Sequence, residues 1–301
     1  PFHTSKILCH IAAHSILFAD DSNLFISGKD INVLCDKMNN ALKDIQQWLF
    51  CNKLSLNVLK THYMFFTSLK KQVPDQVIKI CNTAIDRVYV TKFLGVHIDS
   101  KLTWKEHILH TCKKVSKSIA ILAKARKKLP QNCLFKLYYA VTYPYFIYCN
   151  HVWGNAFKET LKPLFRLQKR IIRVITSSHY KAKSQPLFTK YKLLNLQDIN
   201  AYTIGIFMYK TINPIPSQPS MFANFFRSND TVHHHETRQA GDLHVPSAKK
   251  VARIHSVRIH GGHVWNSIPP AIRNSTSLDT FKKHYKTHLL EKISSIIVDH
   301  S

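Results

Sequence analysis

Glycine is scarce in this chain, with 7 residues in 301. Such scarcity excludes a design built on glycine-rich loops or on a collagen-type repeat. Acidic residues are also few, 17 Asp and Glu against 43 Lys and Arg, which leaves a formal charge of +26. No apolar run approaches the ~18 residues of a membrane-spanning helix, and the opening PFHTSKILCH lacks the pattern of a secretory signal. Cysteine is not paired by spacing. The seven residues (Cys9, Cys35, Cys51, Cys81, Cys112, Cys133 and Cys149) are odd in number and include no C-x-x-C. They point to a reduced, intracellular chain and not to a disulfide framework. The first residue is Pro, so the sequence reads as a fragment or a processed piece.

A hydrophobic share of 45% is ample for packed cores and excludes a wholly disordered basic tail. The length suggests about two domains of roughly 150 residues each. The densest of the histidine runs, His233 to His235, has no cysteine partner at zinc spacing, so solvated loop histidines are the reading. Charge is distributed unevenly. Residues 1–100 carry 11 basic and 8 acidic side chains, residues 101–200 carry 20 and 3, and residues 201–301 carry 12 and 6. Solubility needs no such asymmetry, but a polyanion partner does, because each phosphate neutralised releases counterions. Anionic lipid is the competing partner. No amphipathic anchor with a Trp or Phe face flanks the basic block, so nucleic acid is favoured and a membrane is not expected.

Apolar runs at 14–18 and 23–27, separated by Ala19, Asp20, Asp21 and Ser22, predict a β-hairpin with two carboxylates at its tip. Over 30–50, Ile31, Leu34, Met38, Leu42, Ile45 and Trp48 recur at helical steps and predict an amphipathic helix on a sheet. Strand-like segments follow at 54–58, 62–67, 77–81, 85–90 and 92–98. This order is α+β. Beyond Trp104 the pattern is helical. Ile108, Cys112, Val115, Ile119 and Leu122 make an apolar stripe, with Lys113, Lys117, Lys124 and Lys128 on another face. Further helices are expected at about 131–142 and 160–176, the latter with Arg166, Arg170 and Arg173 outside. Another is expected at about 277–293. Two cationic faces in one block suggest a groove that tracks a phosphate backbone; solvated helix surface is the plainer alternative. Residues 213–250, rich in Pro and polar side chains, predict a flexible linker, and 251–301 a C-terminal helical segment.

Adjacent aspartates at a turn most often cap it by local hydrogen bonds. Here both flanks are apolar strands, and the pair lies in the carboxylate-rich third. Carboxylates are the hard ligands that Mg²⁺ accepts, and paired ions clamp attacking and leaving oxygens in phosphoryl transfer.

The segment FADDSNLF resembles the aromatic-x-Asp-Asp box of reverse transcriptases. The series NKLSLNVLKTHYMFF (52–66), KFLGVHIDSKLTWKEHI (92–108), YYAVTYPYFIYCNHVWG (138–154), PLFRLQKRIIRVI (163–175) and VWNSIPPAIRNSTSLDTFKKHYKTHLL (264–290) follows it. In that order the boxes are similar to the polymerase and C-terminal region of non-LTR retrotransposons of the Jockey/LINE type. The resemblance implies a partial palm over 1–100, a basic helical thumb over 101–212, and an RNA-directed DNA polymerase activity in the intact parent. It implies that Asp20 and Asp21 bind Mg²⁺, with Mn²⁺ as an alternative. Phe18, Ala19 and Asn57 would lie near the incoming nucleotide, and Lys60 would donate a proton to departing pyrophosphate; an exposed turn lysine is the plainer reading. Phe93, Leu94 and Gly95 would grip the primer end. Lys113, Lys117, Lys124, Arg166, Arg170 and Arg173 would contact an RNA template and DNA primer. Deoxynucleoside triphosphates are the implied substrates, and a nuclear location with a cytoplasmic ribonucleoprotein stage is the implied setting.

One expected part is not in the sequence. The family carries a further metal-binding Asp upstream of the hairpin, and none of residues 1–19 is Asp or Glu. This polypeptide alone is therefore expected to be inactive and to need the N-terminal half of the polymerase. A nucleic-acid-binding remnant acting only through its basic helices is the alternative, and a translated relic the third.

Overall fold

A computed structural model of the chain describes residues 14–19, 21–68, 73, 77–213, 222, 225–232, 242–248 and 251–298. The chain divides into two compact units. One comprises Pro1–Lys92 with Asp99–Lys101; the other comprises Phe93–Ile98 with Leu102–Ser301. The mixed α+β composition matches the expectation, with short strands in the first unit and helices in the second.

In the first unit β1 (His14–Phe18) and β2 (Asp21–Phe25) form an antiparallel hairpin. Helix α1 (Ile31–Cys51) follows. It starts where Asp30 Oδ1 accepts from the backbone N–H of Asn32 and Val33 at 2.8 and 3.1 Å, which satisfies two donors the helix leaves open. Cys35 and Leu42 on its inner face pack with Ile78, Ile80 and Ile85, and Leu24 of β2 joins this core. The helix also holds strand β4 (Lys79–Ile80) by hydrogen bonds. Asn39 Oδ1 accepts from Lys79 N at 2.9 Å, and Gln46 Oε1, two turns on, accepts from Cys81 N at 3.1 Å. Strand β4 pairs with β5 (Thr83–Ala84), and β3 (His62–Tyr63) pairs in parallel with β6 (Asp86–Arg87).

The strands are shorter than the sequence suggests. Residues 54–57 form no strand and lead into a 3₁₀ turn at Val58–Lys60. Their alternating pattern is still used, because Leu56 and Val58 reach the core from irregular backbone. Alternation reports which side chains are buried; a ladder also needs a partner strand.

Strands β7 (Val90–Phe93) and β8 (Val96–Asp99) form a hairpin, of which Phe93–Ile98 belongs to the second unit. Helices α2 (Lys105–Ala125), α3 (Gln131–Val141), α4 (Tyr143–Ile147), α5 (Asn150–Trp153), α6 (Lys158–Ile175) and α7 (Ser184–Lys190) follow. The apolar stripe of α2 is buried through Ile108, Val115, Ile119 and Leu122, and it packs on Leu164, Ile171, Ile172 and Ile175 of α6. Helix α8 (Leu196–Ile212) carries apolar residues on every side, as a helix enclosed by others should. It packs against α5, α11 (Val257–Asn266) and α13 (Leu278–Val298). Between α8 and α11 lie α9 (Asn229–Val232) and α10 (Val251–Ile254), and α12 (Pro270–Arg273) precedes α13.

Most of 213–250, the expected linker, lies outside the described residues. Its described part is bonded to the helices: Asn266 pairs both ways with the backbone of Leu243 at 2.9 Å, and Arg273 meets Asp242 at 2.8 Å.

Candidate active-site hairpin and basic helices

The hairpin register fixes where its side chains point. Phe18 lies opposite Asp21, and Ala19 leaves β1 as a turn residue. Ala19 has φ of 52°, the positive value that a two-residue hairpin turn needs at its first central position. Asp21 is thus the first residue of β2, two residues earlier than the sequence pattern places the strand. Cross-strand partners share a face and alternate along each strand. Asp21 therefore stands on one face with Phe18, Ile16 and Phe25, all exposed, while Leu24 points to the core. Asp21 is exposed as well. Asp20, the other half of the expected pair, lies outside the described residues.

The remaining expected residues of the first unit are exposed. Asn57 opens the 3₁₀ turn, where its carbonyl accepts from Lys60 N at 3.1 Å and Thr61 Oγ1 at 3.0 Å. Lys60 closes that turn and is exposed.

In the second unit Leu94 and Gly95 form the tip between β7 and β8, with φ of 44° and 82°. Both central residues having positive φ is the signature of a turn that matches strand twist, and it favours glycine at the second position. Phe93 before them is half-buried. The tip is held from outside by a residue the motif reading does not single out: Tyr148 Oη donates to Leu94 O at 2.5 Å. A Cβ built on Gly95 would meet that same ring at 3.5 Å. The aromatic run YPYFIY is visible in the sequence, but only the fold shows which tyrosine reaches the hairpin.

Lys113, Lys117 and Lys124 are exposed on α2, on the side opposite its buried stripe, and Arg166 and Arg170 are exposed likewise on α6. The sixth cation differs. Helical spacing puts Arg173 outward, but it is half-buried, and its Nε donates to Ala182 O at 2.8 Å in the segment that follows the helix.

A histidine cluster is also unforeseen. The ring centroids of His97 and His110 are 4.4 Å apart, and those of His107 and Trp153 are 5.3 Å apart. Burial, with the adjacent charges of His97, His110 and Lys114, pulls the His107 imidazole down to about 4.

A divalent ion of the Mg²⁺ type takes about six oxygen ligands in a tight octahedron. Among the described residues no three His, Cys, Asp or Glu side chains converge as a metal site would require. Asp21 is a hard oxygen donor, but the described residues do not by themselves fit the ion.

The chain is similar to the RNA-directed DNA polymerase of mobile element jockey from Drosophila funebris, at 25% identity over 185 residues. It is also similar to the probable polymerases of transposon X-element and of transposon BS from Drosophila melanogaster, at 23% over 184 and 190 residues. Each match covers 60 to 62% of this chain and 20% of the relative, so the matched part spans about one fifth of those proteins. No protein-family model matches the chain, and no solved structure does. No described helix is long and apolar enough to cross a membrane. The likeness suggested by the ordered boxes is thus found over most of the chain: its relatives in sequence are the RNA-directed DNA polymerases of Jockey-type non-LTR retrotransposons.

Proposed function

We propose that this chain is the part of a retrotransposon reverse transcriptase that carries the Asp-Asp hairpin and the basic helices that follow it in sequence. The observation that supports it most is the presentation of Asp21 on the exposed face of a tightly turned hairpin, in a chain whose sequence relatives are RNA-directed DNA polymerases. In this reading Asp20 and Asp21 contribute oxygen ligands to Mg²⁺ or Mn²⁺, and the further ligand comes from polypeptide upstream. The Leu94–Gly95 tip supports a primer end, and the exposed cations of α2 and α6 bind template and primer phosphates. Deoxynucleoside triphosphates are the substrates, and the N-terminal half of the polymerase is the partner. The setting is a ribonucleoprotein that forms in the cytoplasm and acts in the nucleus.

The expected assay result has two parts. The chain alone does not extend oligo(dT) on poly(A). Supplied with the upstream part of such a polymerase, it does, and Asp20→Asn or Asp21→Asn removes that extension. Extension by the isolated chain that survives Asp20→Asn would defeat the reading.

A second reading, a binder with no polymerase role, is favoured by the exposed lysines and arginines themselves. It predicts binding indifferent to Mg²⁺ and to substitution of either aspartate.

A further inference from the structure

The stretch Phe93–Ile98 is held to the helices of its unit at two points. At the tip Tyr148 Oη donates to Leu94 O at 2.5 Å. Three residues on, the backbone N–H of His97 donates to His107 Nδ1 of α2 at 3.4 Å. Both points lead to one side chain. Trp153 of α5 is fully buried; its Nε1 donates to Tyr148 O at 2.8 Å, and the His107 ring packs on its indole with centroids 5.3 Å apart.

His107 is 5% exposed, and its bond to β8 fixes its protonation. An imidazole nitrogen that accepts an N–H carries a lone pair, so Nδ1 is bare and the ring proton sits on Nε2. A second proton has only Nδ1 to go to. There it would take the lone pair that His97 uses and set one N–H against another. Proton and strand therefore compete for a single atom. The surroundings favour the strand. His97 on β8, with His110 and Lys114 on α2, acts on His107 with positive charge, and Trp153 on α5 carries no titratable group. The His97 and His110 rings stand 4.4 Å apart and those of His97 and His107 6.4 Å, so charging one ring raises the cost of charging the others.

We propose that His107 is a positioning residue for the Leu94–Gly95 tip: through Nδ1 it holds β8 on α2, and a proton taken at Nδ1 releases Phe93–Ile98 while the helices stay folded. The hold is complete above pH 6.5 and is lost as pH falls towards 4, the interval over which burial and the neighbouring charges move this imidazole. What the hold does for a primer end rests on the polymerase reading; the hold itself does not.

The test is amide hydrogen exchange of residues 93–98 in the whole chain between pH 5 and 7.5, corrected for the intrinsic pH dependence of exchange. Circular dichroism on the same samples follows the helices. Protection is expected to be about tenfold weaker at pH 5 than at pH 7.5, with the helical signal unchanged. His107→Asn puts an uncharged acceptor in the place of Nδ1 and should keep protection level across the range. His107→Phe keeps a ring against Trp153 without the acceptor and should lose the protection at both ends. Wild-type protection that does not change with pH, or a decline that persists in His107→Asn, overturns the proposal. Neither metal nor nucleic acid enters the measurement, so its failure leaves the polymerase reading standing, and a chain that never extends a primer can still show the release.

Discussion

The side chains of Asn150 and Asn200 meet in the interior, with Asn200 Nδ2 donating to Asn150 Oδ1 at 2.9 Å. Asn150 is fully buried; its Nδ2 donates to Phe146 O at 2.8 Å, and Thr203 Oγ1 donates to Oδ1 at 3.1 Å. This network bonds α5 to α8 and leaves no room above it. A Cβ on Gly154 would stand 2.4 Å from both Asn150 Oδ1 and Asn200 Nδ2.

Gly154→Ala is accordingly expected to destabilise the helical unit by about 1–3 kcal/mol, the usual cost of overpacking. Asn150→Leu should cost at least about 2 kcal/mol, because it strands the Asn200 amide and the Phe146 carbonyl in the core. Urea unfolding followed by circular dichroism measures both. A neutral Asn150→Leu would mean that water replaces the network.

Tyr148→Phe removes the one hydroxyl bonded to the Leu94 carbonyl while keeping the ring beside Gly95. The expected effect is a loss of about 1 kcal/mol of local stability, seen as faster amide exchange at residues 93–96 with little change in global melting. Unchanged exchange there would show that the turn is held by its own backbone.

Two buried groups give opposite pH dependences over one interval. His107 is held down to about 4 from 6.5, so its contribution is present above pH 6.5 and is lost as pH falls towards 4. Asp198 is pushed up to about 6 from 3.8 by desolvation, so its contribution is present below pH 3.8 and is lost as pH rises through 6. Each is worth about 1–2 kcal/mol after solvent screening. The wild-type melting temperature should therefore vary little between pH 4 and 6.5. His107→Gln should make it rise on acidification, and Asp198→Asn should make it fall. Parallel curves for all three proteins would contradict the assignment.

Removing cations from α2 or α6 tests the proposed backbone binding directly. Replacing Lys113 and Lys117, or Arg166 and Arg170, by Gln should lower the slope of log affinity against log salt on duplex by roughly 0.9 for each phosphate no longer neutralised. Affinity should fall for every sequence alike. A slope that stays constant would move the duplex-binding surface elsewhere on the chain.

The helices were legible because long periodic stripes survive whatever the tertiary context. The stripe from Ile108 to Leu122 and the run from Leu164 to Ile175 both bury as their spacing requires. The strand edges were not. Pairing of His62 and Tyr63 with Asp86 and Arg87 depends on partners more than 20 residues away, which no local pattern encodes. Of the candidate site, the hairpin can be read from the sequence, but its register cannot, because the apolar run starts at Asn23 while pairing starts at Asp21. The reach of Tyr148 to Leu94 and of Arg173 to Ala182 cannot, because each depends on where another segment folds back.

The C-terminal helix α13 lies so close to α8 that Gly205 has no space for a methyl group, since a Cβ there would sit 2.3 Å from the Tyr285 ring. Phe281, Tyr285 and Leu289 on that helix are buried. A gene copy interrupted ahead of Leu278 would thus lose more than a tail. It would expose the apolar surface of α8 to solvent, so a stop codon just ahead of Leu278 should yield insoluble product and not a trimmed, working protein.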